Sequence, residues 1–253
     1  MATVADILNF IETLAPHALK MDWDNVGLLC GSKQTEVTKI LVALDPFEGV
    51  CREAADMGAE LIVTHHPLIF QPAKSVTDET SIGRSIMFLC RHGISAVNAH
   101  TNLDVAPGGV NDVLAVKLGL QNIVTLESGL LRCGDAVEQS LETFLTAVKD
   151  RLGCAGLRYV HGGRSVQKVA VGGGSCASEM LEAIEAGCDT FVTADVTYNQ
   201  FWDAQDLGLN LIDAGHFHTE NPVVPVLAEK LQAAFPEIHI KISETHHDCV
   251  KFY

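Results

Sequence analysis

The sequence predicts an α/β protein of two similar lobes with largely parallel sheets, related by an internal repeat. The stretch from Lys39 to Phe70 aligns without a gap on the stretch from Lys168 to Asn199, with Thr64 on Thr193. Each stretch reads as a strand, a helix and a second strand, and a further apolar strand follows each one. Strands that alternate with helices predict right-handed crossovers and parallel pairing.

Length and composition limit the class of protein. The 253 residues are 47% hydrophobic, which is enough for one large core or two small ones. The net charge of −15 opposes a phosphate backbone, so nucleic-acid binding is not expected. Apolar runs of only strand length predict no membrane span, and the N-terminus lacks the pattern of a signal peptide, so we expect a cytoplasmic protein. The eight cysteines include no C-x-x-C pair and are expected to be reduced. Most lie in or beside apolar segments, where buried thiols are common: Cys51, Cys90, Cys154 and Cys188 are examples.

Hydrophobic periodicity defines the elements of the first half. Apolar residues recur every three or four positions in the first helix, whereas ILVALD (40–45) is a continuous apolar run typical of a strand buried on both faces. Helices are predicted over Thr3–Leu14, Glu48–Met57 (ended by Gly58), Ser81–Arg91 and Gly109–Leu118. Strands are predicted over 26–31, 40–45, 61–66 and 94–100.

The second half shows the same alternation of strands and helices after a less regular connecting segment. Strands are predicted over 122–128, 157–160, 169–174, 190–195, 210–215 and 239–243. Helices are predicted over Leu141–Leu152, Ser178–Ala186, Gln200–Leu207 and Val223–Ala234. The expected organisation is a first lobe over 1–120, a connecting segment over 121–164 and a second lobe over 165–253, with one structural unit formed by the two lobes.

The doublet His65–His66 follows a buried strand. Adjacent residues of a strand point to opposite faces, so both imidazoles reach one pocket only where the strand has ended. Pro67 supplies that ending, because it has no N–H for the sheet and keeps His66 out of the helical region. Ligands of open parallel sheets bind beyond the carboxyl ends of strands, which favours a functional role. The alternative is a pair of surface histidines packed in a loop.

Each half also carries a histidine and an acid four residues later, after its third strand. His100 and Asp104 follow the strand in a predicted loop. The alternative to a ligand role is that Asp104 caps the turn before Pro107. The spacing of His216 and Glu220 places both side chains on one side of a helical turn. His218 is expected to face elsewhere.

Together these residues predict one composite site for two divalent metal ions. Imidazole and carboxylate ligands suit zinc, iron, manganese, nickel or cobalt without choosing between them. Glu220, the longest acid, is the better candidate for a bridge. Ala194 and Asp195 occupy the doublet positions in the second half, and Asp195 either orients an imidazole or caps a turn. The motif GGGS (172–175) is a tight turn or, alternatively, an anion cradle. The tail histidines His246 and His247 are expected to be solvated.

At these residues the chain resembles the Nif-three-like family, whose members are also described as homologues of a type 2 GTP cyclohydrolase I. The matching segments cover nearly the whole chain: 23–31, 60–70, 98–120, the VGGGS and VTADVTYN segments, and 211–220. The resemblance implies a two-lobed α/β fold in a ring-shaped hexamer. The metal ligands that it implies are His65, His66, Asp104, His216 and Glu220, with His100 lining the same pocket. Ala194 and Asn199 depart from the family pattern, which commonly has Gly and His there.

The leading hypothesis is a metal-dependent hydrolase that acts on a small nucleotide-like or phosphorylated substrate, with His100 as the catalytic acid or base. One alternative is a non-catalytic metal chaperone or store, which would need the same ligands. The other is a metal-stabilised interaction scaffold. We expect a homo-oligomer and, among closed assemblies, a hexamer.

Overall fold

The computed structural model describes all residues from Met1 to Tyr253 and contains eleven strands and ten α-helices. The strands are β1 Gly27–Cys30, β2 Lys39–Ala43, β3 Leu61–Thr64, β4 Ser95–Asn98, β5 Gln121–Thr125, β6 Arg132–Gln139, β7 Arg158–Val160, β8 Val166–Val171, β9 Thr190–Thr193, β10 Asn210–Asp213 and β11 His239–Ile242. The helices are α1 Val4–Leu14, α2 Glu48–Met57, α3 Ser81–His92, α4 Thr101–Val105, α5 Val110–Lys117, α6 Leu141–Leu152, α7 Met180–Glu185, α8 Tyr198–Asp206, α9 His216–Glu220 and α10 Val223–Ala234. None of these helices is long and apolar enough to cross a membrane.

The chain divides into two compact units whose bounds differ from the lobes expected from the sequence. Unit 1 comprises Met1–Pro107 and Val224–His247, and unit 2 comprises Gly108–Val223 and Asp248–Tyr253. The predicted boundaries 1–120, 121–164 and 165–253 differ from the bounds of these units for two reasons. Strand β11 pairs with β2 and so belongs to unit 1, and α5 packs on the sheet of unit 2.

Unit 1 is built on a five-stranded sheet in the order β1-β4-β3-β2-β11. Strands β4, β3, β2 and β11 are all parallel, and only β1 is antiparallel to its neighbour. Apolar side chains on α2, α3 and the strands form its core; Leu41, Ala54, Ile62 and Leu89 are fully buried. The expectation of a largely parallel sheet is therefore confirmed for this unit.

Unit 2 has a six-stranded mixed sheet in the order β5-β6-β8-β9-β10-β7. Only β8, β9 and β10 are parallel, and the three outer pairings are antiparallel. The parallel strands β8, β9 and β10 are the counterparts of β2, β3 and β4, so the internal repeat survives as a parallel centre in each sheet. The predicted α/β class with two related lobes is confirmed, with a second sheet that is more antiparallel than expected.

Strand β6 lies in the segment that the sequence assigned to a connection. Its sequence, RCGDAVEQ, has no apolar pattern, because it begins with the buried Arg132 and includes Asp135, Glu138 and Gln139. The Arg132 guanidinium bonds to Asp112 Oδ1 at 2.5 Å and to the carbonyl oxygen of Gly129 at 2.8 Å, which compensates for its burial. The segment 121–164 is thus an integral part of unit 2.

Local signals place most helix ends where the periodicity predicts them. Thr3 and Asp6 form a capping box that starts α1, and Gly58 adopts a left-handed conformation with φ of 68° that ends α2. All eight cysteines are free thiols. Cys51, Cys154 and Cys188 are buried as expected, but Cys90 near the end of α3 is exposed.

Candidate metal centre

Three histidines of unit 1 come together at the carboxyl edge of its sheet. Thr64 and Asn98 are paired at the ends of β3 and β4, so the residues that follow both strands leave at the same edge. The Thr64 hydroxyl donates to the carbonyl oxygen of His66 at 2.7 Å, in the turn that follows the strand. The ring centroids of His65, His66 and His100 lie 4.9 to 5.6 Å apart. The doublet therefore lies just beyond a strand end, as Pro67 predicted.

Asp104 belongs to the same cluster. The sequence predicted a loop after His100, but residues 101–105 form the short helix α4, which begins directly after that histidine. Asp104 is buried, and its Oδ1 lies 3.6 Å from His65 Nε2. The helical turn thus directs this carboxylate toward an imidazole of the doublet.

Each imidazole of unit 1 is oriented by an acceptor on its Nδ1 atom. The contacts are His65 Nδ1 with the carbonyl oxygen of Ala99 at 2.9 Å, His66 Nδ1 with Asp45 Oδ1 at 2.6 Å, and His100 Nδ1 with Asp24 Oδ1 at 2.8 Å. A carbonyl oxygen or an ionised carboxylate only accepts, so Nδ1 carries the proton in all three rings. In the neutral imidazole, Nε2 then keeps its lone pair, which is the form that binds a metal ion.

Asp45 bridges a doublet histidine and the C-terminal tail. Its Oδ2 lies 2.8 Å from His246 Nε2, and the His246 ring stacks on Phe47 with centroids 6.1 Å apart. Burial works to raise the pKa of Asp45, but the hydrogen bonds from His246 and His66 hold it well below its usual range. The expectation that His246 is solvated is wrong: its side chain is only 5% exposed.

Asp24 orients the His100 imidazole, as Asp45 orients that of His66. Its carboxylate accepts from the Thr101 backbone N–H at 3.0 Å and from the Thr101 hydroxyl at 2.5 Å, in addition to His100. Burial opposes ionisation, yet the hydrogen bonds from His100 and Thr101 keep the pKa of Asp24 well below its usual range. Sequence reasoning matched the segment that contains Asp24 but gave the residue no role.

Unit 2 presents its own pair of donor groups on α9. His216 Nε2 lies 3.0 Å from Glu220 Oε2, one helical turn away, as the four-residue spacing predicted. His216 Nδ1 bonds to Asp195 Oδ2 at 2.6 Å. Of the two roles considered for Asp195, the structure therefore supports the one that orients an imidazole.

Of the two alternatives for the GGGS motif, a tight turn or an anion cradle, the structure shows the tight turn. The backbone N–H groups of Gly173 and Gly174 donate to Asn111 Oδ1 at 2.7 Å and to Thr219 Oγ1 at 3.0 Å, so neither is directed at an anion. A Cβ atom on Gly174 would overlap Glu220 Oε1 and lie 3.1 Å from His216 Nε2. The absence of a side chain at Gly174 thus leaves the space that these two donor groups occupy.

His218 faces away from His216, as expected. Its Nδ1 lies 3.2 Å from the carbonyl oxygen of Leu152, and its Nε2 lies 3.0 Å from Asp248 Oδ2. Both ring nitrogens of His218 are therefore engaged within unit 2, and it is not a candidate ligand.

The donor atoms fit a divalent metal ion. The donor nitrogens of His65 and His66 lie within 4.8 Å of each other and of a ring nitrogen of His100, which lines the same pocket. Each of the three rings is held in place by the contact of its Nδ1 atom. Imidazole nitrogen with carboxylate oxygen is the ligand chemistry of the later first-row metals and zinc. Unit 1 supplies three oriented imidazoles and the buried carboxylate of Asp104. Unit 2 supplies the oriented imidazole of His216 and the buried carboxylate of Glu220.

A comparison with known protein families identifies the family of this chain. Residues 2–249 match the family model described as Duf34/NIF3 (NGG1p interacting factor 3). The chain belongs to the DUF34/NIF3 family.

Individual relatives agree with this assignment. A Clostridium perfringens protein named "GTP cyclohydrolase 1 type 2 homolog" is 39% identical, with 90% of each chain aligned. A Helicobacter pylori protein named "GTP cyclohydrolase 1 type 2" is 31% identical over 92% of this chain and 93% of its own length. The crystal structure of a Bacillus cereus protein related to NIF3 superposes with a TM-score of 0.93 at 26% identity, with 99% of both chains covered. The resemblance inferred from the motifs is confirmed.

Proposed function

We propose that this DUF34/NIF3 protein is a metal-dependent hydrolase with a dinuclear divalent-metal centre, acting on a small nucleotide-like or phosphorylated substrate. The proposed ligands are His65, His66 and Asp104 from unit 1 and His216 and Glu220 from unit 2. His100 is the proposed general acid or base.

The observation that carries the proposal is the common orientation of the four imidazoles. In His65, His66, His100 and His216, the Nδ1 atom meets an acceptor at 2.6 to 2.9 Å. Three of the four acceptors are carboxylates, which raise the basicity of the opposite nitrogen. Histidines that serve only packing do not require this repeated arrangement.

Divalent ions at such a centre would supply Lewis-acid activation of water and of the substrate oxygens. The chain itself provides proton transfer and orientation. Asp24 holds His100 in the tautomer whose Nε2 accepts a proton, and it stabilises the imidazolium that results, as the acid of a catalytic triad does. The side chain of His100 is 14% exposed, so a substrate can reach it.

The names of the relatives favour a nucleotide substrate. The Helicobacter pylori relative carries the name of a GTP cyclohydrolase, and cyclohydrolase chemistry is the hydrolytic opening of a ring. We therefore propose a nucleotide or a related heterocyclic phosphate as the first substrate class to test. A cytoplasmic location and a hexameric assembly stay predictions of the sequence.

Metal analysis combined with a substrate panel tests the proposal. The purified protein should bind about two divalent ions per chain after metal supplementation, because five ligands with a bridging acid exceed the needs of one tetrahedral ion. Glu220→Ala should bind fewer. The panel should contain nucleoside triphosphates, nucleoside monophosphates and sugar phosphates, with product release measured in both proteins.

Each outcome has a defined meaning. A metal content near zero, or one that Glu220→Ala leaves unchanged, would refute the dinuclear centre. A full metal content with no turnover of any substrate would favour a metal store or chaperone instead. In that case a chelator should remove the metal at the rate of ligand exchange, and a change at His100 should not alter that rate.

A further inference from the structure

Two exposed aromatic rings lie beside His100 in unit 1. Trp23 is 63% exposed and Phe70 is 43% exposed. Their ring centroids are 5.7 Å apart, with the planes at 76°. Each ring also meets the His100 ring nearly edge to face, at 6.3 Å for Trp23 and 6.0 Å for Phe70. Aromatic side chains are exposed elsewhere in the chain as well, so it is the position of these two adjacent rings beside a candidate catalytic group that points to a ligand.

Hydrogen bonds hold the two segments that carry these rings. Asp24, next to Trp23, is fixed by Thr101 and His100. The Asn25 side-chain amide donates to the carbonyl oxygen of Ile69 at 2.6 Å, next to Phe70. The Asn98 amide at the end of β4 donates to the Asn25 carbonyl oxygen at 3.1 Å. The rings are therefore carried by backbone that is tied to the sheet edge and to each other.

The chemistry of the rings selects the kind of ligand. The cation–π contacts of the chain are those of Arg52 with Phe88 and of Arg158 with Phe201, so neither Trp23 nor Phe70 receives a guanidinium. An aromatic face that is open to solvent favours stacking with another planar π system. The ring centroids of Trp23 and His100 lie 6.3 Å apart, so a planar ring bound at Trp23 would lie beside His100.

We infer that Trp23 and Phe70 form the binding wall for a planar heteroaromatic ring of the substrate, of the size of a nucleobase. This inference rests on the proposed function, since it names the part of the substrate that lies next to His100. Asp24 then has two tasks: it orients His100, and it fixes the adjacent Trp23.

Trp202 provides a matched control. It is the only other tryptophan of the chain. It is 52% exposed and packs edge to face against Tyr198 at 6.4 Å, so its exposure and its aromatic neighbour resemble those of Trp23. It lies on α8 in unit 2, and no ring contact links it to a histidine of the candidate centre.

The experiment compares guanosine 5′-monophosphate with ribose 5-phosphate, which lacks the heteroaromatic ring. Calorimetric affinities are measured for the metal-loaded wild type, Trp23→Ala, Trp23→Phe and Trp202→Ala. Stacking on one aromatic side chain predicts that Trp23→Ala weakens guanosine 5′-monophosphate binding about tenfold. Trp23→Phe should retain most of the affinity, and Trp202→Ala should match wild type. Ribose 5-phosphate should bind equally to all four proteins.

Fluorescence gives an independent measurement. In Trp202→Phe, the remaining emission comes from Trp23 and should be quenched by guanosine 5′-monophosphate but not by ribose 5-phosphate. In Trp23→Phe, the remaining emission from Trp202 should not respond to either. If Trp23→Ala does not fold, the emission of the two single-tryptophan proteins, Trp202→Phe and Trp23→Phe, still decides the question.

The inference and the proposed function fail in different ways. Equal affinities for the two probes, or an affinity that Trp23→Ala leaves unchanged, would overturn the binding wall even if the protein hydrolyses a substrate. Binding that depends on the heteroaromatic ring without any turnover would leave the wall intact and refute only the hydrolase.

Discussion

Replacing Gly174 by alanine should remove metal from the centre at little cost to the fold. The Gly174 backbone has φ of +62°, and a non-glycine residue in that conformation costs about 1–2 kcal/mol. Alanine also narrows the unfolded ensemble, which offsets about 0.4–1 kcal/mol of that cost. The net loss of stability should be about 1 kcal/mol. The added Cβ would overlap the end of the buried Glu220 side chain, so the Glu220 carboxylate must shift to make room.

Gly153 supplies the control for backbone strain. It ends α6 with φ of +70°, and a Cβ atom there would meet nothing within 4 Å. Gly153→Ala should therefore show the same loss of stability with unchanged metal binding. Gly174→Ala should lose at least about 10- to 100-fold in metal affinity, the scale seen when partners of metal ligands are removed. Urea unfolding without metal and titration with buffered free metal measure the two effects. Wild-type affinity in Gly174→Ala would refute the placement of the Glu220 carboxylate at the centre.

Three further predictions concern His100, Glu53 and the assembly of the chain. His100→Ala should keep its metal and lose about 10²-fold or more in rate, as expected for a removed acid or base; loss of metal instead would identify His100 as a ligand. Burial raises the pKa of Glu53, but hydrogen bonds from Ser243 and the backbone of residues 244 and 245 lower it to about 2. This folded pKa lies below the ordinary 4.5, so the extra stability of Glu53 over Glu53→Gln is present above pH 4.5 and lost as the pH falls toward 2. Because the carboxylate is only partly buried, solvent screening reduces this extra stability to about 1 kcal/mol. Acid unfolding of the two proteins measures it, and parallel curves would contradict it. Light scattering should give the mass of a hexamer, and a monodisperse monomer at micromolar concentration would exclude a closed ring.

The sequence predicts the repeated centre of the fold because its signals are local. Helix α2 begins at Glu48 and ends at Gly58 as predicted, since amphipathic spacing and a left-handed glycine both act within a few residues. The strand ends that carry the histidines are also predicted, because Pro67 and the apolar runs mark them.

Long-range partners decide what the sequence does not predict. Strand β11 has an ordinary strand pattern, but its pairing with β2 joins residues about 200 positions apart, which no local signal reports. Strand β6 has no apolar pattern along its sequence, and the burial of its Arg132 depends on Asp112 from another element. Asp24 and Asp45 are recognisable as acids near strand ends, but their contacts with His100 and His66 follow from tertiary structure.

The two halves use equivalent positions of one scaffold for different tasks. In unit 1, Asp45 orients His66, and in the ungapped alignment these residues correspond to Gly174 and Asp195 of unit 2. There, Asp195 orients His216, and Gly174 makes space for the acid on α9. The orienting carboxylate thus lies at the end of the first strand in unit 1 but at the doublet position in unit 2. The imidazole that it orients lies in the doublet in unit 1 but on the helix after the third strand in unit 2. Because each carboxylate depends on the imidazole of its own half, exchanging Asp45 and Gly174 between the halves would leave His66 without its acceptor and crowd Glu220. The asymmetry of the donor set is therefore built into the scaffold at these paired positions.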